Sequence, residues 1–334
     1  MSVRVLRPGM LTTVQDRGRH RMQHLGIVPG GAMDPVAFEL ANALVGNLQG
    51  EAALEFTLLG PQLAFEAAAL IALCGAEFEA TLDGQPMPLD RPVLVTSGTR
   101  LAAGRARRGS RAYLAVAGGI AVEPVLGSRS TYLPAQFGGW QGRVLRSDDL
   151  LPLAPECAAL SGARAERLRL PGGAPHRTVP WSAPSLTLPE REFIVIHAME
   201  GRHFGGFDAD SQRAFFDATW RVAPASDRMG FRLLGPALAR VDGDELLSEP
   251  TCLGTVQVPA DGAPIALMAD HQTTGGYPKI AEIAGADVPR LAQLAPGAAL
   301  RFVRCTLAEA QALRRAARQR VESARRGIAW KYQS

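Results

Sequence analysis

The feature that most constrains the fold of this 334-residue chain is a series of short apolar runs broken by glycine and proline. The clearest runs are 58–65, 68–74, 92–96, 112–117, 192–198, 255–259 and 265–269. Runs of this length suit strands, and their spacing favours barrels or sandwiches over alternating strands and helices. The sequence therefore predicts a mainly β protein.

Local turn and helix signals are few but specific. Asp83-Gly84 inside the 81–85 stretch predicts a tight hairpin. Asp34 is a good N-cap for a helix over 36–45 that stops at Gly46. Three further helices are predicted: 210–219, a short one after Asp287, and one from Thr306, in a capping box with Glu309, to about 326.

The chain is predicted to hold two related β-domains. The stretch 154–189 is rich in Ala, Arg, Gly and Pro and has little strand pattern, so it marks a boundary. Two near copies of a six-residue motif, at 58–63 and 233–238, lie on either side of it. The predicted limits are 1–185, including a linker from about 154, then 186–305, and a C-terminal helix and tail over 306–334.

Composition excludes several classes of function. Apolar residues make up 47% and charged residues 20% of the chain, as in soluble globular proteins, and the net charge is a mild +4. No basic stripe alternates with aromatic residues, so nucleic acid is not expected as a partner. The four cysteines form no Cys-x-x-Cys pair, so no metal site is expected. The sequence shows neither an apolar signal core nor a membrane-length segment, so we expect a cytoplasmic protein.

Lysine is rare in this chain. Of 36 lysine and arginine residues only Lys279 and Lys331 are lysines, and Lys331 lies near the C-terminus. Lys279 ends the most polar segment, Ala-Asp-His-Gln-Thr-Thr-Gly-Gly-Tyr-Pro-Lys at 269–279. An ammonium can approach a small group or lose its proton, unlike a guanidinium. Lys279 is therefore either functional or a chance survivor of an arginine-biased composition.

The segment before Lys279 is predicted to be a loop that binds oxygen atoms. Its amide, its hydroxyls and the N–H groups of its Gly-Gly pair suit a carboxylate, phosphate or carbonyl oxygen. It lacks the spacing of a P-loop. Gln257 alternates with two valines on a predicted strand, so its amide faces either a pocket or solvent.

The sequence allows two interpretations for each of several other polar residues. Gly30 and Gly31 precede a helix, where their N–H groups either bind an anion or make a plain turn. Asn42 lies on a mostly apolar helix and either braces a loop or contacts a ligand. Glu55 is either functional or an outward-facing strand residue. Arg228 follows Asp227, and their spacing favours a turn with a local ion pair between them.

The motifs, taken in order, resemble one family. They are Thr-Thr-Val-Gln-Asp-x-Gly-Arg, Gly-Ala-Met-Asp, Ala-Asn-x-Leu-Val-Gly-Asn, Leu-Glu-x-Thr-Leu-x-Gly-Pro, Gly-Ser-Arg-Ser-Thr-Tyr, Ser-Asp-Arg-Met-Gly, Gly-Thr-Val-Gln-Val-Pro and Gln-Thr-Thr-Gly-Gly-Tyr-Pro-Lys-Ile. Over roughly 3–303 the chain is similar to the biotin-dependent carboxyltransferase family, also called allophanate hydrolase subunit 2 or KipA-like. The stretch 199–206 departs from the family pattern.

The resemblance implies two tandem cyclophilin-like β-barrel domains with a few short helices and a C-terminal helix. It implies the C component of an ATP-dependent 5-oxoprolinase, a hydrolase that opens 5-oxo-L-proline to L-glutamate. The expected partners are a KipI-like protein and a LamB/YcsF-like protein, which form the other subunits, with ATP and magnesium at the level of the complex. The implied catalytic residues are Lys279, Gln272, Thr273 and Thr274. The predicted substrate-binding residues are Asn42, Gln257, Gly275, Gly276, Tyr277, Gly30, Gly31 and Asp34.

Two alternatives stay open at the level of sequence. One is a carboxyltransferase component that moves a carboxyl group from carboxybiotin to urea or a similar amide, with biotin as its cofactor. The other is a non-catalytic, KipA-like protein that binds and antagonises a KipI-like kinase inhibitor.

Overall fold

The computed structural model describes residues 1–47, 50–170, 176–185, 188–241 and 246–333. The chain divides into two compact units. The first contains residues 1–19, 34–188 and 320–334, and the second contains 20–33 and 189–319. Each unit is therefore assembled from separate stretches of the chain, and residues 20–33 fold with the second unit although they precede most of the first.

Within the described residues, two six-stranded sheets build the first unit. Their strands are β1 (Ser2–Arg7), β2 (Leu11–Gln15), β3 (Ala53–Thr57), β4 (Gln62–Phe65), β5 (Ala69–Phe78), β6 (Thr81–Leu82), β7 (Gln85–Pro86), β8 (Val93–Val95), β9 (Arg100–Ala102), β10 (Ala106–Val116), β11 (Leu150–Pro152) and β12 (His176–Thr178). The sheet orders are β11-β1-β4-β9-β6-β7 and β12-β8-β5-β10-β3-β2. Buried side chains of both sheets form one core, with Val5 and Leu63 from one and Phe56 and Ile71 from the other.

Helix α1 (Pro35–Leu44) begins where the sequence predicts. The Asp34 carboxylate accepts hydrogen bonds from the N–H groups of Val36 and Ala37 at 3.1 and 3.0 Å. These bonds satisfy two of the N–H groups that a helix start leaves unpaired. Phe38 of α1 then packs edge-on against Tyr113 of β10, with ring centroids 6.1 Å apart. The apolar face of α1 thus covers the sheet.

The boundary region contains a helix that the sequence did not predict. Helix α2 (Cys157–Arg167) buries Cys157, Ser161 and Ala165, which are spaced four residues apart. The Ser161 hydroxyl accepts a hydrogen bond from the N–H of Leu70 on β5 at 2.9 Å. These buried side chains are small, so the hydrophobicity of the segment shows only a weak helical period. The sequence therefore predicts a linker here.

The second unit is built on a closed seven-stranded barrel within the described residues. Its strands are β13 (Ile194–Glu200), β14 (Trp220–Val222), β15 (Gly230–Leu234), β17 (Thr255–Gln257), β18 (Ile265–Leu267), β20 (Lys279–Ile283) and β21 (Ala299–Arg304), and a two-stranded ribbon adds β16 (Glu249–Pro250) and β19 (Thr274–Gly275). The barrel order is β13-β20-β17-β18-β15-β14-β21, closed by the parallel pair β13 and β21.

Aromatic packing fixes one helix against this barrel. Helix α3 (Ala209–Asp217) places Phe215 against Phe302 of β21 in a stacked pair with centroids 4.5 Å apart. The indole N–H of buried Trp220 donates to the carbonyl oxygen of Phe215 at 3.0 Å. Satisfying this N–H allows a tryptophan to be fully buried. Helix α4 (Val288–Ala292) follows Asp287, close to the predicted position.

Several local predictions are confirmed. Asp83 and Gly84 both have positive φ, 49° and 81°, as a tight hairpin between β6 and β7 requires. Thr306 and Glu309 exchange hydrogen bonds in a capping box before helix α5 (Leu307–Lys331). Helix α5 runs five residues beyond the predicted end near 326. The mainly β architecture with tandem β-domains, few helices and a C-terminal helix is confirmed.

Candidate functional site

Lys279 opens strand β20, and its side chain is only 7% exposed to solvent. Its Nζ donates to a carboxylate oxygen of Glu249 at 3.1 Å and to the carbonyl oxygen of Pro250 at 2.7 Å. An ammonium taken out of water needs such partners, because an unpaired buried charge costs several kcal/mol. The rare lysine is therefore built into the second unit and is not a surface residue.

The partners of Lys279 come from the ribbon. Strand β16, which carries Glu249, pairs antiparallel with β19 in the register Glu249 to Gly275 and Pro250 to Thr274. The segment that we predicted as a loop before Lys279 thus contains a short strand. Its sequence carries no strand pattern, because the two-residue partner strand lies about 25 positions earlier in the chain.

Glu249 is the centre of a small charged group. Arg202 Nη1 lies 3.4 Å from one carboxylate oxygen, and His203 Nε2 lies 3.9 Å from the other. The hydrogen bond from Lys279 lowers the pKa of Glu249. The carboxylate is therefore ionised at neutral pH and balances the Lys279 ammonium.

His203 is neutral in this arrangement. Its Nδ1 lies 3.1 Å from the backbone nitrogen of Lys279, which can only donate, so Nδ1 must accept and the proton must sit on Nε2. Partial burial lowers the pKa of His203 and favours the same neutral form. Its Nε2–H faces the Glu249 carboxylate, which makes His203 a candidate proton carrier beside the lysine.

Two glutamines lie at the adjoining strand. The register of β17 and β20 places Gln257 opposite Lys279, at a β-bulge. Gln257 is 1% exposed, so the solvent-facing alternative is wrong. The amide nitrogen of Gln272 donates to Gln257 Oε1 at 3.1 Å. Gln257 Nε2 has no hydrogen-bond partner within the part of the chain that the structure describes.

The lack of a side chain at Gly275 leaves space for the side-chain amides of Gln257 and Gln272. A Cβ at Gly275 would lie 2.7 Å from Gln257 Nε2 and 3.2 Å from Gln272 Nε2. Any side chain here would push the amides away, whereas glycine lets them lie against the ribbon backbone. An unpaired buried N–H group costs about 1–3 kcal/mol, so Gln257 Nε2 is a donor ready for an oxygen atom.

The carbonyl oxygens of Gln272 and Thr273 accept hydrogen bonds from neutral groups of Thr251 and His271. The Thr251 hydroxyl and His271 Nδ1 both donate to the carbonyl oxygen of Gln272, the latter at 2.7 Å. Since a carbonyl only accepts, His271 carries its proton on Nδ1, the opposite of His203. Burial lowers the pKa of His271. The Thr251 N–H also donates to the carbonyl oxygen of Thr273 at 3.0 Å.

A buried ion pair fixes the start of the same segment. Arg228 makes two hydrogen bonds to Asp270, at 2.9 and 3.0 Å, and one to the carbonyl oxygen of Gly31 at 2.6 Å. Arg228 and Asp270 are both buried, at 4% and 1% exposed. The local ion pair that spacing favoured, between Arg228 and Asp227, is wrong, because Asp227 instead accepts from the N–H groups of its own turn.

The remaining predicted site residues of the second unit differ in exposure. Thr274 and Tyr277 are exposed, whereas Thr273 and Gly276 are half-buried. Gly30 and Gly31 have positive φ values of 62° and 90°, and Gly31 is buried against Arg228. The structure thus joins Gly31 to the Asp270 end of the polar segment through one guanidinium.

Two predicted site residues lie in the first unit. Asn42 donates from Nδ2 to the carbonyl oxygens of Phe38 and Glu51, and its Oδ1 accepts from Asn47. Its amide therefore braces the loop after α1. Asp34 caps α1, and its own N–H donates to the Tyr113 hydroxyl at 2.8 Å. Substrate contact by either residue stays a prediction.

Glu55 is also a residue of the first unit. It is 2% exposed, so the outward-facing alternative is wrong, and it accepts a hydrogen bond from the Tyr113 hydroxyl at 2.7 Å. The two bonds of the tyrosine hydroxyl join β3, β10 and the start of α1.

Sequence reasoning missed three members of the site. Glu249, His203 and Thr251 were not among the predicted site residues, because neither composition nor spacing shows that they lie beside Lys279 and Gln272. A signal did exist for Glu249: a buried lysine requires a nearby carboxylate, although the sequence does not say which one.

No helix in the described residues is both long and apolar enough to cross a membrane. No group of three or more His, Cys, Asp or Glu side chains in the same residues is placed to hold a metal ion.

Residues 25–304 match the family model described as carboxyltransferase domain, subdomain A and B. The chain belongs to this family. Among other members, the C component of 5-oxoprolinase from Escherichia coli is 41% identical over 92% of this chain and 93% of its own length. The urea amidolyase of Lachancea kluyveri is 36% identical over 90% of this chain but only 17% of its own length.

A solved structure of the carboxyltransferase family has the same fold. The crystal structure of the Kluyveromyces lactis urea amidolyase superposes with a TM-score of 0.86 at 32% identity. The superposition covers 97% of this chain and 20% of the amidolyase chain. The present chain therefore corresponds to one part of that larger family member.

Proposed function

We propose that this chain is the C component of an ATP-dependent 5-oxoprolinase, which opens 5-oxo-L-proline to L-glutamate. The observation that carries the proposal is the likeness to the Escherichia coli protein of that name, at 41% identity over 93% of its length. A Haemophilus influenzae protein of the same name is 37% identical over 91% of this chain and of its own length. The complex would include a KipI-like and a LamB/YcsF-like subunit.

In this proposal the substrate lactam lies against the two glutamines. Gln272 holds Gln257 Oε1, so Gln257 Nε2 is left to donate to the lactam carbonyl oxygen. A donor aimed at this oxygen gains strength as the oxygen becomes negative during attack on the ring. Lys279 supplies positive charge beside the same strand pair and lowers the free energy of that state.

Glu249 and His203 act on Lys279 rather than on the bound lactam. Glu249 holds the ammonium in place, and His203 accepts from the Lys279 backbone. The amide nitrogen released when the ring opens needs a proton. His203 Nε2–H lies at the edge of this group and is the candidate to deliver it.

ATP and magnesium enter this proposal at the level of the complex. In this chain the Lys279 ammonium is held by Glu249 and by the carbonyl oxygen of Pro250.

A second candidate function rests on the family match and on one solved structure. The family model is a carboxyltransferase domain, and urea amidolyase shares the fold at a TM-score of 0.86. The chain would then transfer a carboxyl group from carboxybiotin to urea or a similar amide. The same donor at Gln257 suits the carbonyl oxygen of urea.

Reconstitution tests both candidates. The chain is co-expressed with its KipI-like and LamB/YcsF-like partners, purified as a complex, and assayed for ATP-dependent glutamate formation from 5-oxoproline. The expected result is glutamate formation that requires all three proteins. A complex that forms no glutamate but fixes bicarbonate on urea with a biotinylated carrier would contradict the first candidate and select the second.

A further inference from the structure

Helix α5 is an exposed element whose residues 307–319 belong to the second unit and whose residues 320–331 belong to the first. Its first turn is capped by Thr306 and Glu309, and Ala310 packs with Cys305 and Ala284 in a small apolar cluster. Near its other end Ile328 is 5% exposed. Beyond it the Tyr332 hydroxyl donates to the carbonyl oxygen of Leu44 at 2.6 Å.

One side of α5 is mostly basic. At 100° per residue, five arginines fall within an arc of about 120°. We call this the arginine face, and it consists of Arg314, Arg315, Arg318, Arg325 and Arg326. All five are exposed except Arg325, which is half-buried. The apolar stripe that is buried or half-buried lies beside this face and consists of Ala310, Leu313, Ala317, Val321, Ala324 and Ile328.

The arginine face is only partly compensated, because Glu322 lies in the same arc, four positions from both Arg318 and Arg326. None of its five guanidinium groups forms an ion pair or a side-chain hydrogen bond with any residue that the structure describes. Residues 307–333 contain seven basic and two acidic side chains, a net charge of +5. Because the whole chain carries +4, all the other residues together carry −1. The positive charge of this protein is therefore concentrated on one helix.

Such a concentration works against the helix itself. Like charges four residues apart, such as Arg314 and Arg318, destabilise an isolated helix by about 0.2–0.5 kcal/mol. A surface of carboxylates would relieve this repulsion, and the planar guanidinium binds a carboxylate through two parallel hydrogen bonds. The helix also exposes Trp330 (60%) and Leu307 (62%) near its ends. Arginine and tryptophan are among the residue types most enriched at protein interfaces.

We propose that the arginine face of α5 is a docking surface for an acidic surface of a partner protein. The proposal rests on the proposed function only in that the partner is taken from the same complex. Helix α5 lies beyond the family match at 25–304, so this surface adds to the shared domain. A protein partner fits better than nucleic acid, because the rest of the chain is slightly acidic and offers no extended positive field.

Charge reversal tests the proposal. Arg314, Arg318 and Arg326 are replaced together by Glu in the full chain, and affinity for the purified KipI-like and LamB/YcsF-like proteins is measured by biolayer interferometry. We expect the affinity to fall by about tenfold or more, with a steep salt dependence in the unmodified chain between about 50 and 200 mM.

A matched variant controls for the change in net charge. The triple variant Arg105→Glu, Arg146→Glu and Arg191→Glu makes the same charge change at other exposed sites. It should bind the partner proteins within about twofold of the unmodified chain, because isolated surface charges contribute little.

A conservative variant separates the effect of lost positive charge from the effect of lost folding. The Arg314→Lys, Arg318→Lys and Arg326→Lys triple variant keeps the charge and should bind the partner proteins more tightly than the Glu variant. Circular dichroism checks that all three variants fold. Unchanged affinity in the Glu variant, or failure of the unmodified chain to bind either partner, would overturn the proposal. Arginine-dependent binding of a DNA duplex of about 20 base pairs, with partner binding unaffected, would overturn it in favour of nucleic acid.

The same complex separates this proposal from the proposed function. If the proteins assemble through the arginine face but form no glutamate, the proposed function fails and the docking surface stands. If they form glutamate and the Glu variant assembles equally well, the docking surface fails and the proposed function stands.

Discussion

The ammonium group of Lys279 lies 3.1 Å from a carboxylate oxygen of Glu249, and this contact joins strand β20 of the barrel to the two-stranded ribbon. The residues are 30 positions apart in sequence. Their pairing fixes the position of the ammonium, and the Glu249 side chain stays 23% exposed to water. Water weakens the attraction between the pair, so Lys279 can also interact with a substrate.

Replacing Lys279 with Met should lower turnover of the reconstituted complex by about 100-fold or more, because charge that develops on the substrate oxygen loses its partner. Assembly should not change, since Lys279 packs within its own unit. The measurements are kcat and size-exclusion elution. Lys331→Met, which removes the other lysine, is the control and should have normal kcat. Near-normal turnover of the Lys279 variant would exclude a catalytic role.

Gly275→Ala should weaken substrate binding. The new Cβ would lie 2.7 Å from Gln257 Nε2, so the amide must move away from the position in which it donates. We expect KM for 5-oxoproline to rise by about tenfold, the loss of one hydrogen bond to an uncharged group. Gly285→Ala is the matched control, because nothing lies within 4 Å of its Cβ position. Equal KM values for the two variants would remove Gln257 from the substrate site.

Arg228→Met should destabilise the second unit by about 3–5 kcal/mol, because it removes the guanidinium that makes two hydrogen bonds to the buried Asp270 carboxylate. We expect the variant to unfold at a lower midpoint concentration of urea. Arg213→Met breaks an exposed pair with Asp210 and should cost less than about 1 kcal/mol. If both variants unfold at the same urea concentration, the buried pair does not stabilise the fold.

Asp90 should make stability depend on pH. Burial raises the pKa of Asp90 to about 6 in the folded chain from an ordinary value of 3.8. Its contribution to stability is therefore fully present below pH 3.8 and is lost as the pH rises through about 6, where the folded chain must hold a partly buried charge. Asp90→Asn removes that cost. The variant should gain about 1–3 kcal/mol over the unmodified chain at neutral pH and almost nothing near pH 4.

Urea unfolding across this pH range measures the Asp90 effect as a difference between variant and unmodified chain. Asp148→Asn is the matched control, because Asp148 also has a positive φ, 69° against 55° at Asp90, but is exposed to water. A gain for Asp90→Asn that does not change with pH would show that folding does not raise the pKa of Asp90.

Local signals in the sequence predicted much of the fold. The Asp34 cap, the Asp83-Gly84 hairpin and the Thr306–Glu309 capping box are all present, since each depends only on residues within a few positions. Helix α2 was not predicted, because its buried face is made of Cys157, Ser161 and Ala165. Small side chains stabilise a helix through close packing, which hydrophobic periodicity does not register.

The sequence by itself determined that this chain is mainly β, where several of its turns and helix ends lie, and that Lys279 differs from every arginine around it. Tertiary structure alone decided what Lys279 contacts, which nitrogen of His203 and His271 carries the proton, and that Gln257 is buried rather than exposed to solvent. The reason is physical. Strand and turn preferences follow from the backbone over a few residues, whereas burial, charge pairing and protonation depend on groups such as Glu249 that only folding brings within hydrogen-bonding distance.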